Sequence, residues 1–265
     1  MELRGARVLL TGATGGIGRA ITRELHGRGV HLVLSGRRAD ALEALAAELG
    51  GSVELLPADL AEAGEAARLA ERAGAVDVLV ANAALPASGR IEGYTPEQID
   101  RALDVNLRAP VQLTRALLPG MTRRGRGHLV YMSSLAGKTS SIGLSLYSAT
   151  KFGLRGFAAG LHEDLHGSGI GVTAVFPGFV SGEGMFAETG VKLRPGVGTR
   201  PPEHVARAVV RGIETGRAEI DVAPFALRAG VLASALAPGP MARLQRRLGS
   251  RRISDEMASA QAGKR

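Results

Sequence analysis

Two polar side chains four residues apart give the first chemical signal. Tyr147 and Lys151 lie in the segment Y-S-A-T-K, and on a helix this spacing places both on one face. A phenol with a pKa of about 10 is a poor base at neutral pH, but an adjacent ammonium group favours the phenolate and lowers that pKa. The pair can therefore move a proton, although the spacing alone also occurs by chance on ordinary helices.

A hydroxyl at the end of a predicted strand strengthens this signal. Residues His128–Met132 form a short apolar run typical of a buried strand, and Ser134 follows it. Ligands of open α/β sheets bind beyond the carboxyl ends of the strands. We therefore expect Ser134 beside the same site.

A glycine-rich turn near the start of the chain points to a dinucleotide. The predicted strand Val8–Leu10 runs into T-G-A-T-G-G-I-G at residues 11–18, and a helical pattern follows. Glycines let the backbone approach a pyrophosphate, and a helix N-terminus offers it free N–H groups. A tight turn without a ligand is the alternative. The spacing fits two registers, which are Gly12, Gly16 and Gly18 or Gly12, Gly15 and Gly18.

The end of the second predicted strand indicates which nicotinamide cofactor fits. An acid there would hydrogen-bond the ribose hydroxyls of NAD, but the chain has Ser35-Gly36-Arg37-Arg38. No carboxylate repels a 2′-phosphate, and Arg37 can pair with it through two hydrogen bonds. The alternative is a pair of solvated arginines, but cations are poorly placed at a helix start unless an anion joins them. The sequence therefore predicts NADP(H).

These residues require a fold that brings strand ends together. Short apolar runs alternate with amphipathic segments, which predicts an α/β fold, a Rossmann-type doubly wound parallel sheet of about seven strands in a single domain. Residues 1–222 would form the catalytic domain, with a substrate loop at 183–200, and residues 223–265 a partly disordered C-terminal extension. The predicted strands are Val8–Leu10, Val30–Leu34, Val53–Leu56, Val76–Val80, His128–Met132, Gly171–Phe176 and Ile220–Val222.

Composition excludes several kinds of site. The 265 residues contain no cysteine, which excludes disulfides, thiolate catalysis and cysteine-bound metals. His162 and His166 have the spacing of a helical metal pair but no third ligand nearby, so we expect no metal. No signal peptide pattern opens the chain, and no apolar stretch approaches the ~18 residues of a membrane span. A cytoplasmic location is expected.

The net charge of +8 raises the question of an acidic partner. Most arginines are scattered among acids, which favours a solvated surface and no nucleic-acid partner. Phe225–Ala237, followed by Arg243, Arg246 and Arg247, can also lie on an acidic bilayer. A substrate lid with a solvated tail is the favoured interpretation of this segment, and membrane contact is the less favoured one.

Taken together, the motifs resemble the short-chain dehydrogenase/reductase family in its single-domain form, over residues 5–222. The likeness includes the glycine turn and favours its Gly12, Gly16, Gly18 register over the one found in sugar-nucleotide epimerases. It also rests on Asp59-Leu60, Asn82-Ala83-Ala84, Asn106, Ser134, Tyr147, Lys151 and Pro177-Gly178.

The resemblance implies four catalytic residues. Tyr147 would be the general acid/base, and Lys151 would lower its pKa and hold the nicotinamide ribose. Ser134 would hydrogen-bond the substrate oxygen, and Asn106 would bend its helix and position a water in a proton relay. The activity implied is hydride transfer between NADP(H) and a carbonyl or alcohol carbon. A non-catalytic NADP-binding sensor or scaffold is the alternative, but it has no use for the relay.

The resemblance also implies a set of cofactor contacts. Asp59 would contact the adenine with Leu60 beside it, and Asn82 would stabilise the central strands near the cofactor. Two positions depart from the family pattern: Ala84 replaces a frequent glycine, and Gly182 replaces the threonine that holds the carboxamide. The full set is Gly12, Thr14, Gly16, Ile17, Gly18, Arg37, Asp59, Leu60, Asn82, Tyr147, Lys151, Pro177, Gly178 and Val180.

Substrate and assembly are less sharply defined. Phe179, Met185, Phe186 and Leu193 predict an apolar pocket under a loop, but neither the substrate nor the reaction direction is identified. The family commonly pairs two long helices, which are Leu107–Arg123 and Ser148–His166 here. A homodimer or homotetramer is therefore expected, with close approach at Ala149, Gly153, Gly156 and Gly160.

Overall fold

The computed structural model describes residues 1–51, 53–191, 193, 197–247, 250–261 and 263. Seven parallel strands form one sheet in the order β3-β2-β1-β4-β5-β6-β7, which confirms the predicted fold class. Each predicted strand overlaps an observed one. The strands are β1 (Arg7–Thr11), β2 (His31–Ser35), β3 (Glu54–Leu55), β4 (Val78–Ala81), β5 (Gly127–Met132), β6 (Ile170–Pro177) and β7 (Glu219–Val222).

Helices connect the strands and cover both faces of the sheet. The fourth helix begins with a capping box, in which Thr95 Oγ1 accepts a hydrogen bond from Gln98 N at 3.3 Å and Gln98 Oε1 accepts one from Thr95 N at 3.1 Å. The helices are α1 (Gly16–His26), α2 (Ala39–Leu49), α3 (Glu65–Ala73), α4 (Pro96–Leu103), α5 (Ala109–Arg124), α6 (Ser145–Asp164), α7 (Pro202–Thr215), α8 (Phe225–Leu236), α9 (Pro238–Arg247) and α10 (Ser250–Gln261).

The core consists of two apolar layers separated by the sheet. Leu10 in β1 packs on one side, with Ile21 of α1 and Val209 of α7. Leu9, its neighbour in the strand, packs on the other side with Leu113 of α5 and helices α3 and α6. Both faces of the strands are buried, which is why the strands appear in the sequence as continuous apolar runs rather than as alternating patterns.

The strand order places a crevice between β1 and β4. From β1 the chain winds outward through β2 and β3, and from β4 it winds in the opposite direction to β7. The connections after β1 and β4 therefore diverge at their carboxyl ends, which is where open α/β sheets bind ligands. The glycine turn follows β1, and Asn82 follows β4.

The C-terminal extension contains three helices among its described residues, which are α8, α9 and α10. That this extension is partly disordered stays a prediction. Few apolar residues lie in the last of these helices, so its local pattern gives little helix signal. Among the described residues, no helix is both long and apolar enough to cross a bilayer.

Candidate active site

Three glycines in the turn between β1 and α1 leave no room for side chains. A Cβ on Gly12, where φ is +66°, would lie 2.7 Å from Ala83 Cα, and one on Gly18 would overlap Gly12 O. A Cβ on Gly16 would lie 2.5 Å from Glu183 Cβ. At Gly15 the nearest atom would be 3.7 Å away, an ordinary contact. The packing thus agrees with the Gly12, Gly16, Gly18 register, and the bare backbone fits a pyrophosphate.

Asn82 fastens this turn to the end of β4. Its Nδ2 donates to Thr11 O at 3.1 Å and to Gly12 O at 3.0 Å. In return, Thr11 Oγ1 accepts hydrogen bonds from Asn82 N and Ala83 N, both at 3.1 Å. The two central strands are therefore joined at the crevice by side-chain bonds, as the sequence predicts for Asn82.

The end of β2 lies against the glycine turn. A Cβ on Gly36 would be 3.4 Å from Thr14 Oγ1, so this position adjoins the turn, and it carries no acidic side chain. Arg37 is exposed, and its positive charge is near enough to act on Asp59. Arg37 forms no hydrogen bond or ion pair with the other described residues, so its guanidinium is available to an anion.

The predicted adenine contacts follow β3. Burial raises the pKa of Asp59, but hydrogen bonds from Ala61 N and Arg101, with the charges of Arg101 and Arg37, outweigh burial and hold the pKa below its usual value. Arg101 pairs with the Asp59 carboxylate at 2.9 Å. Leu60 packs in the core with 8% of its surface exposed. Asp59 thus stays charged and is oriented by Arg101, a partner that the sequence did not indicate.

Tyr147 and Lys151 share one face of α6, as predicted. Lys151 is buried, and its Nζ donates to Met132 O at 2.9 Å and lies 5.6 Å from the centroid of the Tyr147 ring. Ser133 Oγ donates to Lys151 O at 3.0 Å and ties β5 to the helix. Ser134, the next residue, hydrogen-bonds the Tyr147 phenol. The structure therefore brings Ser134, Tyr147 and Lys151 together.

Burial is the largest influence on the acid–base properties of this pair. Burial raises the pKa of Tyr147 to about 12, against a smaller opposing effect of the hydrogen bond to Ser134. Burial also lowers the pKa of Lys151 to about 8. The cost of removing the phenolate from water sets the direction of the Tyr147 shift in this structure. That the Lys151 ammonium group favours the phenolate stays a prediction.

Asn106 lies in a π-helical turn, Asp104–Arg108, that joins α4 to α5. Its Oδ1 accepts a hydrogen bond from Leu85 N at 2.7 Å, and its Nδ2 donates to Leu85 O at 3.0 Å. The side chain is 1% exposed. Asn106 thus lies where the helix is interrupted, as expected, and its amide holds the chain segment after β4. The hydrogen bonds of its side chain go to Leu85 and not to Tyr147 or Lys151.

Two of the four catalytic candidates border a cavity of about 340 Å³, whereas Asn106 and Lys151 are not among its lining residues. Ser134 and Tyr147 line it together with Ile17 of the glycine turn. Pro177, Gly178 and Val180, predicted from the sequence as cofactor contacts, line it after β6. The rest of the wall is mostly apolar and includes Leu135, Leu144, Phe179, Met185, Phe186 and Leu227.

The loop that closes one side of the cavity is fixed at its base. Arg200 N donates to Phe179 O and Ser181 N donates to Arg200 O, both at 3.0 Å. These bonds hold the two ends of the predicted loop 183–200 together. Phe179, which precedes the loop, packs against Phe186 inside it with ring centroids 4.7 Å apart. Leu193, also predicted for the pocket, is not among the cavity-lining residues; positions 192 and 194–196 lie outside the described residues.

Helices α8, α9 and α10 form a cover over the cavity, which we call the C-terminal roof. Leu227 and Val231 come from α8, Met241 comes from α9, and Met257 and Gln261 come from α10. The favoured interpretation of 225–237 as a substrate lid agrees with this placement. Sequence reasoning missed the contributions of α9 and α10, because two methionines and a glutamine in Arg-rich segments show no periodic apolar pattern.

Comparison with known proteins identifies the family. The sequence profile of the short chain dehydrogenases matches residues 6–192. The chain belongs to the short-chain dehydrogenase family. It is 41% identical over 183 residues to Nodulation protein G of Rhizobium sp., a match that covers 68% of this chain and 75% of that protein. It is 35% identical over 227 residues to Ketoacyl reductase HetN of Nostoc sp., covering 83% and 79%.

Solved structures of short-chain dehydrogenases agree with this assignment. A short-chain dehydrogenase from Sphingobium yanoikuyae in complex with NADPH superposes with a TM-score of 0.77 at 30% identity, covering 88% of this chain and 94% of that one. As a member of this family the chain is an oxidoreductase that uses a nicotinamide cofactor. No group of three or more His, Asp or Glu side chains suited to a metal ion occurs in the part of the chain that the structure describes.

Proposed function

We propose that this short-chain dehydrogenase transfers a hydride between NADP(H) and the carbonyl or alcohol carbon of an apolar small molecule, with Tyr147 as the proton-transfer group. The observation that supports this most is the shared cavity, into which Ser134 and Tyr147 face beside Ile17 of the glycine turn. One space is therefore bordered by the Tyr147 phenol, the Ser134 hydroxyl and the glycine turn that fits a dinucleotide. This space is large enough for a substrate.

The chain's own residues handle the substrate oxygen and the proton. The bound nicotinamide supplies the hydride in reduction and accepts it in oxidation. Because the pKa of Tyr147 is about 12, the phenol carries its proton at neutral pH and can give it to a carbonyl oxygen. Ser134 Oγ orients that oxygen, and the Lys151 ammonium stabilises the phenolate that forms. Asn106 is a positioning residue in this scheme, since its amide holds Leu85.

The preference for NADP(H) over NAD(H) is carried by the end of β2. Gly36 places no carboxylate beside Thr14, and the Arg37 guanidinium is exposed and available. A guanidinium binds a phosphate through two parallel, charge-assisted hydrogen bonds, which the ribose hydroxyl of NAD does not replace. Titration calorimetry with NADPH and NADH tests this preference, and equal or tighter binding of NADH contradicts it.

An apolar substrate is proposed from the cavity wall. Leucine, methionine and phenylalanine side chains line most of it, and burying each substrate CH₂ there is worth about 0.8 kcal/mol. We propose that the C-terminal roof excludes water over such a substrate. A homodimer or homotetramer and a cytoplasmic location complete the proposal; the exposed glycines Gly156 and Gly160 on α6 leave that helix open to a second copy.

The decisive experiment removes one hydroxyl. Tyr147→Phe leaves the ring in place, and we expect turnover of any accepted ketone with NADPH to fall by about 10²–10⁴-fold while NADPH affinity stays unchanged. Tyr131→Phe is the matched control: its hydroxyl is buried and bonds Thr114 at 2.6 Å, outside the cavity. That variant should lose stability and keep turnover.

The outcome also separates an enzyme from a binding protein. A non-catalytic sensor binds NADPH but turns over no ketone in wild type or in either variant. Near-full turnover of Tyr147→Phe with intact NADPH binding contradicts the assigned mechanism. In that case the tyrosine and lysine are only neighbours on a helix face.

A further inference from the structure

The last residue of α10 holds a buried polar atom that the proposed chemistry does not use. Gln261 is 3% exposed, and its Nε2 donates to Met185 O at 2.9 Å. A carbonyl oxygen can only accept, so the amide nitrogen must be the atom that faces Met185, and the orientation of the amide is fixed. Oε1 is therefore left on the other side, where it is buried without a hydrogen-bond partner among the described residues.

Gln261 belongs to the wall of the substrate cavity. Gln261 lines the cavity together with Ser134 and Tyr147. Among the described residues that line it, no other buried side-chain oxygen or nitrogen is without a partner. Ser234 on α8, for example, donates to Gly230 O at 2.9 Å. Buried acceptors are nearly always paired in folded proteins, so a lone one in a ligand cavity points to a donor on the ligand.

We propose that Gln261 Oε1 accepts a hydrogen bond from a substrate hydroxyl or amide N–H group remote from the reacting carbonyl. This inference rests on the proposed function and narrows its substrate class. The substrate is a mainly apolar ketone, or the corresponding alcohol, with one neutral hydrogen-bond donor at its far end. A cationic end does not fit, because Glu183, the acidic residue among the described cavity-lining residues, is exposed and the other lining side chains carry no charge.

The preference between substrates follows from the free-energy cost of leaving a buried polar group without a hydrogen bond. A site built to bond a substrate hydroxyl rejects the analogue that lacks it, because the buried acceptor then stays unsatisfied. Gln261 has a second task, since its amide nitrogen fastens the loop at Met185 to α10. Loss of that bond would affect all substrates alike. The role of Oε1 is therefore measured only by the ratio of kcat/KM between two ketones that differ in the hydrogen-bond donor alone.

The test uses straight-chain methyl ketones of increasing length that end in a hydroxyl, a secondary amide or a methyl group. Wild type and Gln261→Met are compared by kcat/KM with NADPH, since methionine keeps the length and apolar stem of glutamine. We expect the hydroxyl or amide ketone of one length to exceed its methyl counterpart by about 10- to 100-fold in wild type, and the two to be equal in Gln261→Met. The relative rates of the hydroxyl and amide ketones identify the donor.

Ser234→Ala is the control, because it removes a cavity hydroxyl that already has a partner; its hydroxyl-to-methyl ratio should match wild type. Melting temperatures establish that each variant is folded. If methyl ketones are reduced and the ratio is the same in wild type and Gln261→Met at every length, the inference is wrong and the proposed function stands. If wild type reduces no ketone of any type, the proposed function fails and this inference with it.

Discussion

Asn82→Asp should loosen the glycine turn while leaving its glycines in place. Both hydrogens of the Asn82 amide are used, one on Thr11 O at 3.1 Å and one on Gly12 O at 3.0 Å. The introduced carboxyl has an oxygen where the nitrogen was, and this oxygen offers no hydrogen and faces two carbonyl oxygens. We expect the variant to lose stability and NADPH affinity together.

The magnitude follows from the two bonds. A neutral hydrogen bond contributes about 0.5–1.5 kcal/mol, so their loss in Asn82→Ala lowers the free energy of unfolding by about 1–3 kcal/mol. Asn82 is half-buried, and solvent that reaches the freed carbonyls keeps the loss in the lower half of that range. Asn82→Asp adds repulsion between the carboxylate and the carbonyls, so it should be the less stable of the two at neutral pH.

Urea unfolding of wild type and of both variants measures the order of their stabilities. Calorimetric titration with NADPH measures how far the glycine turn is affected. The gap between Asn82→Asp and Asn82→Ala should narrow as the pH falls towards about 4, because a protonated carboxyl can donate again. If Asn82→Asp is as stable as Asn82→Ala at neutral pH and binds NADPH like wild type, Asn82 does not fasten the turn.

Three further predictions follow from single sites. Arg37→Ala should weaken NADPH binding by about 10- to 100-fold and leave NADH binding unchanged; an equal loss for both cofactors would place Arg37 outside the phosphate site. Burial lowers the pKa of His128 to about 3, below the ~6.5 of an unfolded histidine. The unfolded chain therefore binds more protons between these values, and stability should fall by up to about 1.4 kcal/mol per pH unit as the pH drops through them. His128→Gln can keep a partner for Thr173 Oγ1 and should flatten this fall in urea unfolding; an unchanged slope contradicts the assignment. Gly156→Arg, at a position with no atom near its Cβ, should convert the oligomer to a folded monomer by light scattering, whereas Gly156→Ala should not; a wild-type monomer would refute the predicted assembly.

The strands and the glycine turn could be predicted because their signals are local. A strand of a parallel sheet is buried on both faces, so Val8–Leu10 and His128–Met132 appear as apolar runs whatever their partners are. Gly12 needs a positive φ and a bare Cα at one position in the chain. Tyr147 and Lys151 depend only on helical spacing. Each of these features is determined by residues that are close together in the sequence.

Other features depend on residues that are distant in sequence. Spacing places Lys151 near Tyr147 but does not give the cost of burial, and burial decides the direction of both pKa shifts. Gly153 is predicted to face a second copy, yet a Cβ there would lie 3.0 Å from Leu107 of the same chain, so this glycine serves internal packing. Gln261 meets Met185, 76 residues earlier, and no pattern around either residue indicates the contact.

The C-terminal roof has a consequence for how this enzyme can change. The family profile ends at residue 192, and α8, α9 and α10 all begin after Pro224. The glycine turn and Tyr147 lie entirely before residue 192, while the C-terminal roof adds Leu227, Val231, Met241, Met257 and Gln261 to the cavity wall after it. Part of the cavity wall can therefore change in evolution without any change in the glycine turn or Tyr147. A recombination event near Pro224 would give a descendant that keeps both of these features and has a different roof over the cavity.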